Sequence, residues 1–564
     1  MTALPRGVSR LLQSAGIISP VFTHRVSRFW WAATAAVFSL SLVGCGGGDE
    51  AAPPVGASIQ VDSTADTTAR DGVVTLREAL LLATGGLPAQ GLDVSEADNV
   101  KGEPGATSGD VITFDRAIFP PSEPATIALA SALPALSSGG DTINAAGAGV
   151  IVSGGSRAFD CLVITSAKNT VSGLQVRECK IGVLLEAGAT ENTIGGALEG
   201  QGNVLAASET GLRVATEASG NLVEGNRVGA DRPGGTADAN EIGVFLGGRE
   251  NLVGGRNVVS GNERVGVTVA GSGNVVSGNY IGTDPSGSVA VPNGIEGIWV
   301  AGQGNTVGGS TAAERNVISG NGLFGINVSG SGATGNVVKG NYIGVDATGQ
   351  KGLGNRNGVG VSFGAQNNVI GGVEKGEGNV ISGNSVGVLL RDTGTTGNAF
   401  QGNRIGMEAV GEEPLPNGTG ISILGGAQKN TFGGIAKGER NVISANAIGV
   451  LVDGGSTTGH TIRGNAIFSN SGAGIEVRDG GNGGLSPPVV TDLGPVRGSA
   501  CAGCTVDIYS DGQDEGQTYD GSAVAGADGA FEADVDADGP NVTATATDAN
   551  GSTSPFSQPL AVPP

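Results

Sequence analysis

The residues best suited to do chemistry are four carboxylates that recur in one sequence frame. The frame reads Gly-Asn-x-[Ile/Val]-Gly-x-[Asp/Glu], and its copies end in Asp231, Asp284, Asp346 and Glu408. Acids that converge on one point could hold a calcium ion, and an adjacent Arg or Lys could serve as the base of a polysaccharide lyase. A pair of acids could instead hydrolyse a glycosidic bond. The distance between the copies therefore decides what they can do.

That distance argues against a shared site. Neighbouring acids are 53 to 62 residues apart along the chain. If each unit forms two or three coils of a β-solenoid, the carboxylates lie ~10 to 14 Å apart, because coils stack at ~4.8 Å. Paired glycosidase acids sit at ~5 to 9.5 Å. We therefore predict that each acid begins an Asx-type turn. The alternative is that one of these acids is an isolated calcium ligand within its own loop. We expect that the chain requires no cofactor.

The repeat itself predicts the fold. Three frames recur in register: Asn-x-[Val/Ile/Phe]-Gly-Gly, Asn-Val-[Ile/Val/Leu] and Gly-Asn. Between them lie short β-branched segments bracketed by glycine, and five units cover about residues 191–477. Short strands at a fixed long period are typical of a parallel β-helix. Asparagines stacked at one bend would bond to each other from coil to coil. The predicted structural ladder comprises Asn203, Asn257, Asn316, Asn379 and Asn441.

The motifs NVISGN, NTVGG and GNYIGVDATG resemble the right-handed parallel β-helix repeats of bacterial surface proteins, in the pectin-lyase-like fold group. The resemblance covers about 290 residues. It implies an all-β fold, and we predict that the β-helix occupies residues 110–485. Because enzymes and binding proteins share this fold, the fold does not decide the activity.

The N-terminal region is predicted to carry an export signal. A basic stretch precedes the apolar run from Phe29 to Gly44, which is too short to span a membrane comfortably. Leu42-Val-Gly-Cys45 resembles the bacterial lipobox, which implies a signal peptide over 1–44, acylation of Cys45 and a tether over 45–57. The alternative is an ordinary signal peptide. We expect a lipid-anchored protein of the cell envelope, at the outer membrane or cell surface, that contacts the membrane through its lipid alone.

Residues 58–109 are predicted to cap the solenoid. Thr75 and Glu78 fit a capping box, which predicts a helix from Leu76 to Leu82. The stretch resembles the CSLREA domain that precedes many bacterial β-helices, although Val74 and Thr75 replace that motif's Cys and Ser. We expect residues 83–108 to form a loop.

Residues 486–564 change character, with alternating strands and turn signals that predict an Ig-like β-sandwich. In an exported chain, cysteine pairs are first interpreted as disulfides. The predicted pairs are Cys161 with Cys179, and Cys501 with Cys504.

The composition of the chain disfavours several functions. The net charge of −22 disfavours a nucleic-acid partner. His460 is the one histidine beyond the signal region, and it occupies a repeat position that is Asn336 or Asn398 in other units. We interpret it as a substituted ladder residue, which disfavours a Ser-His-Asp triad and His/Cys metal sites.

One repeat position could form a binding stripe. It carries Arg227, Tyr280, Tyr342 and Arg404, residue types that are favoured at binding surfaces. A turn position without a function is the alternative. We expect a monomeric surface protein that presents an acidic face, with a structural, adhesive or glycan-binding role toward an extracellular polysaccharide or matrix component. The alternative is a polysaccharide lyase or glycoside hydrolase, and the absence of a compact cluster of acids with Lys or Arg leans against an enzyme.

Overall fold

The computed structural model describes residues 56–105, 109–537 and 539–562. Short strands coil through three long parallel sheets, named A, B and C here in the order in which each coil visits them. The chain is a right-handed parallel β-helix followed by a small antiparallel domain, which confirms the predicted fold class. In the described residues, no helix is long and apolar enough to cross a membrane.

The strands of each sheet are given in stacking order from the N-terminal end. Sheet A contains Val100–Lys101, Ser58–Val61, Val111–Phe114, Thr142–Asn144, Thr170–Ser172, Thr193–Gly195, Leu222–Glu224, Leu252–Gly254, Val275–Val276, Thr306–Gly308, Val337–Lys339, Val369–Gly371, Ala399–Gln401, Thr431–Gly433 and Thr461–Arg463. Sheet B contains Ala125–Ala128, Val150–Ser153, Gln175–Arg177, Val204–Ala206, Arg227–Val228, Val258–Val259, Tyr280–Ile281, Val317–Ile318, Tyr342–Ile343, Val380–Ile381, Arg404–Ile405, Val442–Ser444 and Ala466–Phe468. Sheet C contains Leu162–Ile164, Ile181–Leu185, Thr210–Val214, Ile242–Leu246, Val265–Val269, Glu296–Val300, Phe324–Ser329, Asn357–Ser362, Val386–Arg391, Thr419–Leu424, Ile448–Asp453 and Ile475–Arg478.

Each sequence unit forms two coils. The unit that starts at Asn192 contributes the strands Thr193–Gly195 and Leu222–Glu224 to sheet A before the next unit begins at Asn251. Inward side chains stack in columns, as where Ile194 pairs with Val223 and Val223 with Val253, all of them buried. The apolar columns exclude water from the axis of the helix and fix the register of every coil.

Buried asparagines line the bends before all three sheets. In the bend before sheet B, the Asn341 backbone amide and side-chain Nδ2 both donate to Oδ1 of Asn379, each at 3.0 Å. Asn341 Nδ2 also donates to the carbonyl of Val307 at 3.0 Å. The two sequence frames alternate in this ladder, so each predicted member after Asn203 lies between two asparagines of the Gly-Asn frame, whereas Asn203 accepts the Leu174 amide on its other side. The ladder runs through Asn203, Asn226, Asn257, Asn279, Asn316, Asn341, Asn379, Asn403, Asn441 and Asn465.

The N-terminal region caps the helix with two short helices. Helix α1 (Leu76–Ala83) has the full capping box formed by Thr75 and Glu78. Helix α2 (Val94–Asp98) lies inside the segment that was expected to be a loop. It forms there because Asp93 and Glu96 make a second capping box. Ser58–Val61 pairs in parallel with Val111–Phe114, so sheet A includes a strand that precedes the expected start at residue 110.

The C-terminal residues form two antiparallel sheets. The first contains Val489–Leu493, Val496–Ser499 and Ala530–Ala533, and the second contains Thr518–Val524, Thr505–Asp511, Asn541–Thr547 and Leu560–Ala561. Both predicted disulfides are confirmed: Cys161 is bonded to Cys179 and Cys501 to Cys504. The domain docks on the last coil, where Arg463 donates twice to the Asp507 carboxylate at 2.6 Å.

Candidate anion-binding groove

The four recurring acids lie in hairpin loops that connect sheet B to sheet C on every second coil. The loops are residues 229–241, 282–295, 344–356 and 406–418. The Asp231 carboxylate accepts the backbone N–H groups of Gly234, Gly235 and Thr236 at 2.8 to 3.1 Å. Asp346 accepts the amides of Gln350 and Lys351 at 3.2 and 3.3 Å. These acids organise the turns of their own loops.

Electrostatics agree with a structural role for these acids. Burial raises the pKa of Asp346, but hydrogen bonds from the Thr348 hydroxyl and nearby amides outweigh it, so the pKa lies below its ordinary value. The same balance, with the Ser286 hydroxyl, lowers the pKa of Asp284. The carboxylates are therefore ionised, and their acceptor capacity is largely used by their own loops.

Glu408 is the exception among the four. Within the described part of the chain its carboxylate makes no hydrogen bond. Arg404, instead of the Glu408 carboxylate, holds this loop together. Arg404 Nε donates to the Glu408 carbonyl at 3.1 Å, and its terminal nitrogen donates to the Gly411 carbonyl at 2.6 Å. Arg404 is thus in part a brace for the loop.

The acids are not brought together at one point. Successive loops touch through their backbones, where the amides of Ala347 and Ala409 donate to the carbonyls of Gly287 and Gly349 at 3.0 and 2.9 Å. The acids therefore follow the two-coil spacing of ~10 Å. Across residues 56–105, 109–537 and 539–562, no group of three or more His, Cys, Asp or Glu side chains could hold a metal ion.

The predicted stripe forms the floor beside these loops. Register pairs place Arg227 beside Val258, Val258 beside Tyr280, and Tyr280 beside Val317. The row then continues with Tyr342, Val380 and Arg404. Valine therefore alternates with Arg or Tyr from coil to coil. Tyr342 is almost fully buried at 9% exposure in a small apolar cluster with Val317 and Val380, whereas Tyr280 is half-buried.

A groove runs above this floor. The hairpin loops form one wall, and the turns that connect sheet A to sheet B form the other, with longer turns at residues 196–203, 309–316, 372–379 and 434–441. Two cavities of about 980 and 450 Å³ lie in the groove and share Arg315 in their linings. Seven basic residues line the two cavities: Arg227, Arg232, Arg256, Arg315, Lys375, Arg404 and Arg440.

These cations form no close ion pair, although Asp231 and Asp520 attract Arg227 and Arg440 from farther away. In the described residues, none of the seven lies within 4.0 Å of a carboxylate. Acidic residues in the cavity linings are Glu199 and Glu374, both exposed. The guanidinium of Arg315 lies 4.2 Å from the centre of the Tyr342 ring, which holds the cation above the floor. The acidic face expected from the net charge does not describe this groove.

Arg227 and Arg232 are neighbouring cations that repel each other. Burial lowers the pKa of Arg227, and repulsion from Arg232 lowers it further, while Asp231 opposes the shift. Arg227 Nε and one terminal nitrogen of Arg232 are buried without a hydrogen-bond partner. An anion placed between them would supply the missing acceptors and reduce their repulsion.

Sequence reasoning missed most of these cations. Arg256, Arg315 and Arg440 each directly precede the Asn of an Asn-Val frame. The recurrence of Arg at that position was a usable signal, but only the fold shows that the position faces the same groove as the Arg and Tyr stripe. His460 is fully buried, its amide donates to Asn482 Oδ1 at 2.8 Å, and burial lowers its pKa to about 4.

Comparison with known proteins gives similarity at the level of solved structures. No family model matches the chain, and no curated protein matches it. The Dettilon tailspike protein matches 77% of this chain and 74% of its own at 13% identity and a TM-score of 0.35. The A-module of a mannuronan C-5 epimerase of Azotobacter vinelandii matches 65% of this chain and 80% of its own, at 15% identity and a TM-score of 0.24. A mutant tailspike protein of E. coli bacteriophage HK620, in complex with a pentasaccharide, matches 78% and 86% at 12% identity and a TM-score of 0.24. No conclusion about function follows from similarity at this level.

Proposed function

We propose that this chain is an exported glycan-binding protein whose groove above sheet B holds an acidic polysaccharide. The observation that carries the proposal is the set of seven groove cations without a carboxylate partner, on a chain with a net charge of −22. Cations that remain unpaired in a groove are arranged for an anion from outside.

The shape of the groove favours a polymer. From Val204 to Val442 the floor crosses eight strand steps, which corresponds to ~38 Å at the spacing of a β-sheet. The floor is built on a continuous sheet and its walls are hydrogen-bonded turns, so the groove is preformed. The half-buried Tyr280 ring offers a planar apolar contact for a sugar. A nucleic acid is the less favoured polyanion because the overall charge repels its closely spaced phosphates.

Binding is favoured over cleavage. Lyase or hydrolase chemistry needs acids that are free to act on substrate or metal, whereas the carboxylates of Asp231, Asp284 and Asp346 are engaged by their own loops. The two disulfides agree with an oxidising, extracellular location. We also propose that the protein is anchored by a lipid on Cys45, that it has an adhesive role and that it is a monomer. Cys45 and the signal segment lie outside the described residues.

Titration calorimetry tests this function. The protein is titrated with acidic polysaccharides, a neutral glucan of equal length and single-stranded DNA, at low and high salt. We expect binding of the acidic polysaccharides that weakens as salt screens the charges, and no binding of the neutral glucan. Equal binding of the neutral glucan, or tighter binding of DNA, would contradict the proposal. Unsaturated product absorbance recorded on the same samples would reveal a lyase instead.

A further inference from the structure

The cations on the wall formed by the turns from sheet A to sheet B occur on alternate coils. Arg256, Arg315 and Arg440 precede the strands that start at Val258, Val317 and Val442. On the coil between the last two, the same turn places Lys375 in the groove. The turns before four successive Asn-Val strands thus each present a cation, at a spacing of ~10 Å.

The fold enforces this alternation. On the intervening coils the equivalent position is Gly225, Gly278, Gly340 or Gly402, each with a φ between 66° and 71°. A Cβ at Gly340 would lie 1.8 Å from the carbonyl oxygen of Gly309, and one at Gly278 would lie 2.5 Å from that of Ala313. A side chain is therefore excluded at this position of the wall on every second coil, so no cation can occupy it there.

The intervening coils carry different groups. Between the coils of Arg256 and Lys375 they place Tyr280 and Tyr342 on the floor and the ionised Asp284 and Asp346 in the opposite wall. The intervening coils on either side of this central stretch instead place Arg227 and Arg404 on the floor. Along this central stretch, an acidic group on the ligand would be attracted at the cation coils and repelled at the aspartate coils. A neutral sugar suits the aspartate coils, where Tyr280 presents its ring.

We infer that the ligand is an extended polysaccharide in which acidic and neutral sugars alternate. An extended chain of pyranose rings advances by about one strand spacing per ring, so a disaccharide spans about two coils. One acidic group per disaccharide then meets one cation per two coils along the wall. This inference rests on the proposed function and specifies the charge pattern of the polymer.

The test compares two unsulfated acidic polymers of equal length at one salt concentration. One alternates a uronate with a neutral N-acetylhexosamine, and the other is a homopolymer of uronates. We expect the alternating polymer to bind at least about tenfold tighter per disaccharide. Equal or tighter binding of the homopolymer overturns the inference but leaves the proposed function standing. Binding of neither polymer overturns both.

The substitution Tyr280→Arg provides a second measurement. Arg227 and Arg404 occupy the same register position in other units, so the fold accepts arginine there. The variant adds a cation on an intervening coil, where the homopolymer would gain about one favourable charge contact. It is therefore expected to reduce the preference for the alternating polymer by several-fold. An unchanged preference would show that the charge pattern of the groove does not select the ligand.

Discussion

The hairpin loops and the facing wall of the groove both repeat a charged residue every two coils, yet the two sets have opposite environments. Asp346 accepts two amides and a hydroxyl from its own loop. Arg315, across the groove, contacts a tyrosine ring and a backbone carbonyl but no carboxylate. Recurrence along a solenoid therefore shows only that a structural unit is copied. The partner of each charge decides whether it supports the fold or is available to a ligand.

The largest effect is expected where polar groups are satisfied entirely within the fold. Asn379→Ala removes the acceptor of two Asn341 N–H groups and leaves the Val338 carbonyl without its donor. Buried polar groups left without partners cost ~1 to 3 kcal/mol each, so we expect a loss of ~2 to 4 kcal/mol in the free energy of unfolding. Denaturant titration measures it. Asn550→Ala, at an exposed turn, is the control, and an equally small effect in both variants would contradict the ladder's role.

The groove cations should show the reverse pattern. Arg256→Gln combined with Arg315→Gln is expected to weaken acidic-polysaccharide binding at least about 100-fold, because hydrogen bonds to charged groups contribute ~1.5 to 3 kcal/mol each. The thermal midpoint should fall only slightly, since neither arginine has an ion pair to lose and the main loss is the contact of Arg315 with the Tyr342 ring. Arg264→Gln removes an equal charge from an ion pair with Glu241 outside the groove cavities. If this control weakens binding as much, net charge rather than the groove is responsible.

The loop acids should affect stability and not binding. Asp346→Ala leaves the Gln350 and Lys351 amides without their side-chain acceptor, and we expect a loss of ~1 kcal/mol in unfolding free energy. Asp346→Asn keeps one acceptor oxygen and should lose less. Calcium is added to both variants and to the unchanged protein during thermal unfolding. If calcium raises the thermal midpoint only of the protein that keeps Asp346, this loop binds calcium and the structural interpretation of Asp346 is wrong.

The docking of the C-terminal domain gives the smallest effect, a dependence on pH. Glu515 accepts the Asn470 amide and Nδ2 at 3.0 Å, in the place that a further ladder asparagine would occupy. Burial raises its pKa to about 7, although these hydrogen bonds oppose the shift. The folded protein therefore binds this proton more tightly than the unfolded chain does. The associated stability is present below pH ~4.5 and is lost as pH rises through about 7.

Comparison with Glu515→Gln isolates that contribution. Relative to the unchanged protein, the variant should gain ~1 kcal/mol of stability between pH 5 and pH 8, as measured by denaturant titration. His460 changes stability in the opposite sense, because burial lowers its pKa to about 4 and its contribution is lost as pH falls from ~6.5 toward that value. A difference between variant and parent that does not change with pH would show that Glu515 does not titrate in this range.

The sequence predicts the parts of this molecule that obey local rules. The spacing of Asn, Gly and β-branched residues predicts the β-helix, Thr75 and Glu78 predict the helix at its end, and cysteine spacing predicts both disulfides, all of which the structure contains. Helix α2 was missed because its capping box lies in a segment rich in glycine, proline and acids.

The groove was harder to predict because its walls come from turns that are distant in sequence. Arg256 and Tyr280 belong to different frames, and only the stacking of two coils per unit places them on one surface. The net charge of −22 also averages over the whole chain, so it gave no sign of a local concentration of cations. Arg404 shows the converse limit, since its place in the stripe is visible from sequence but its bonds to loop carbonyls are not.

The most direct test of the central claim is to locate a bound acidic polysaccharide by carbodiimide cross-linking, which joins ligand carboxylates to lysine amines in contact with them. Lys375 lies in the groove, whereas Lys168 is exposed beside sheet A and pairs with Glu191. Mass spectrometry of the cross-linked protein should find the ligand on Lys375 and not on Lys168, and high salt should abolish the product. Attachment to Lys168 and the other exposed lysines without preference for Lys375 would contradict the account.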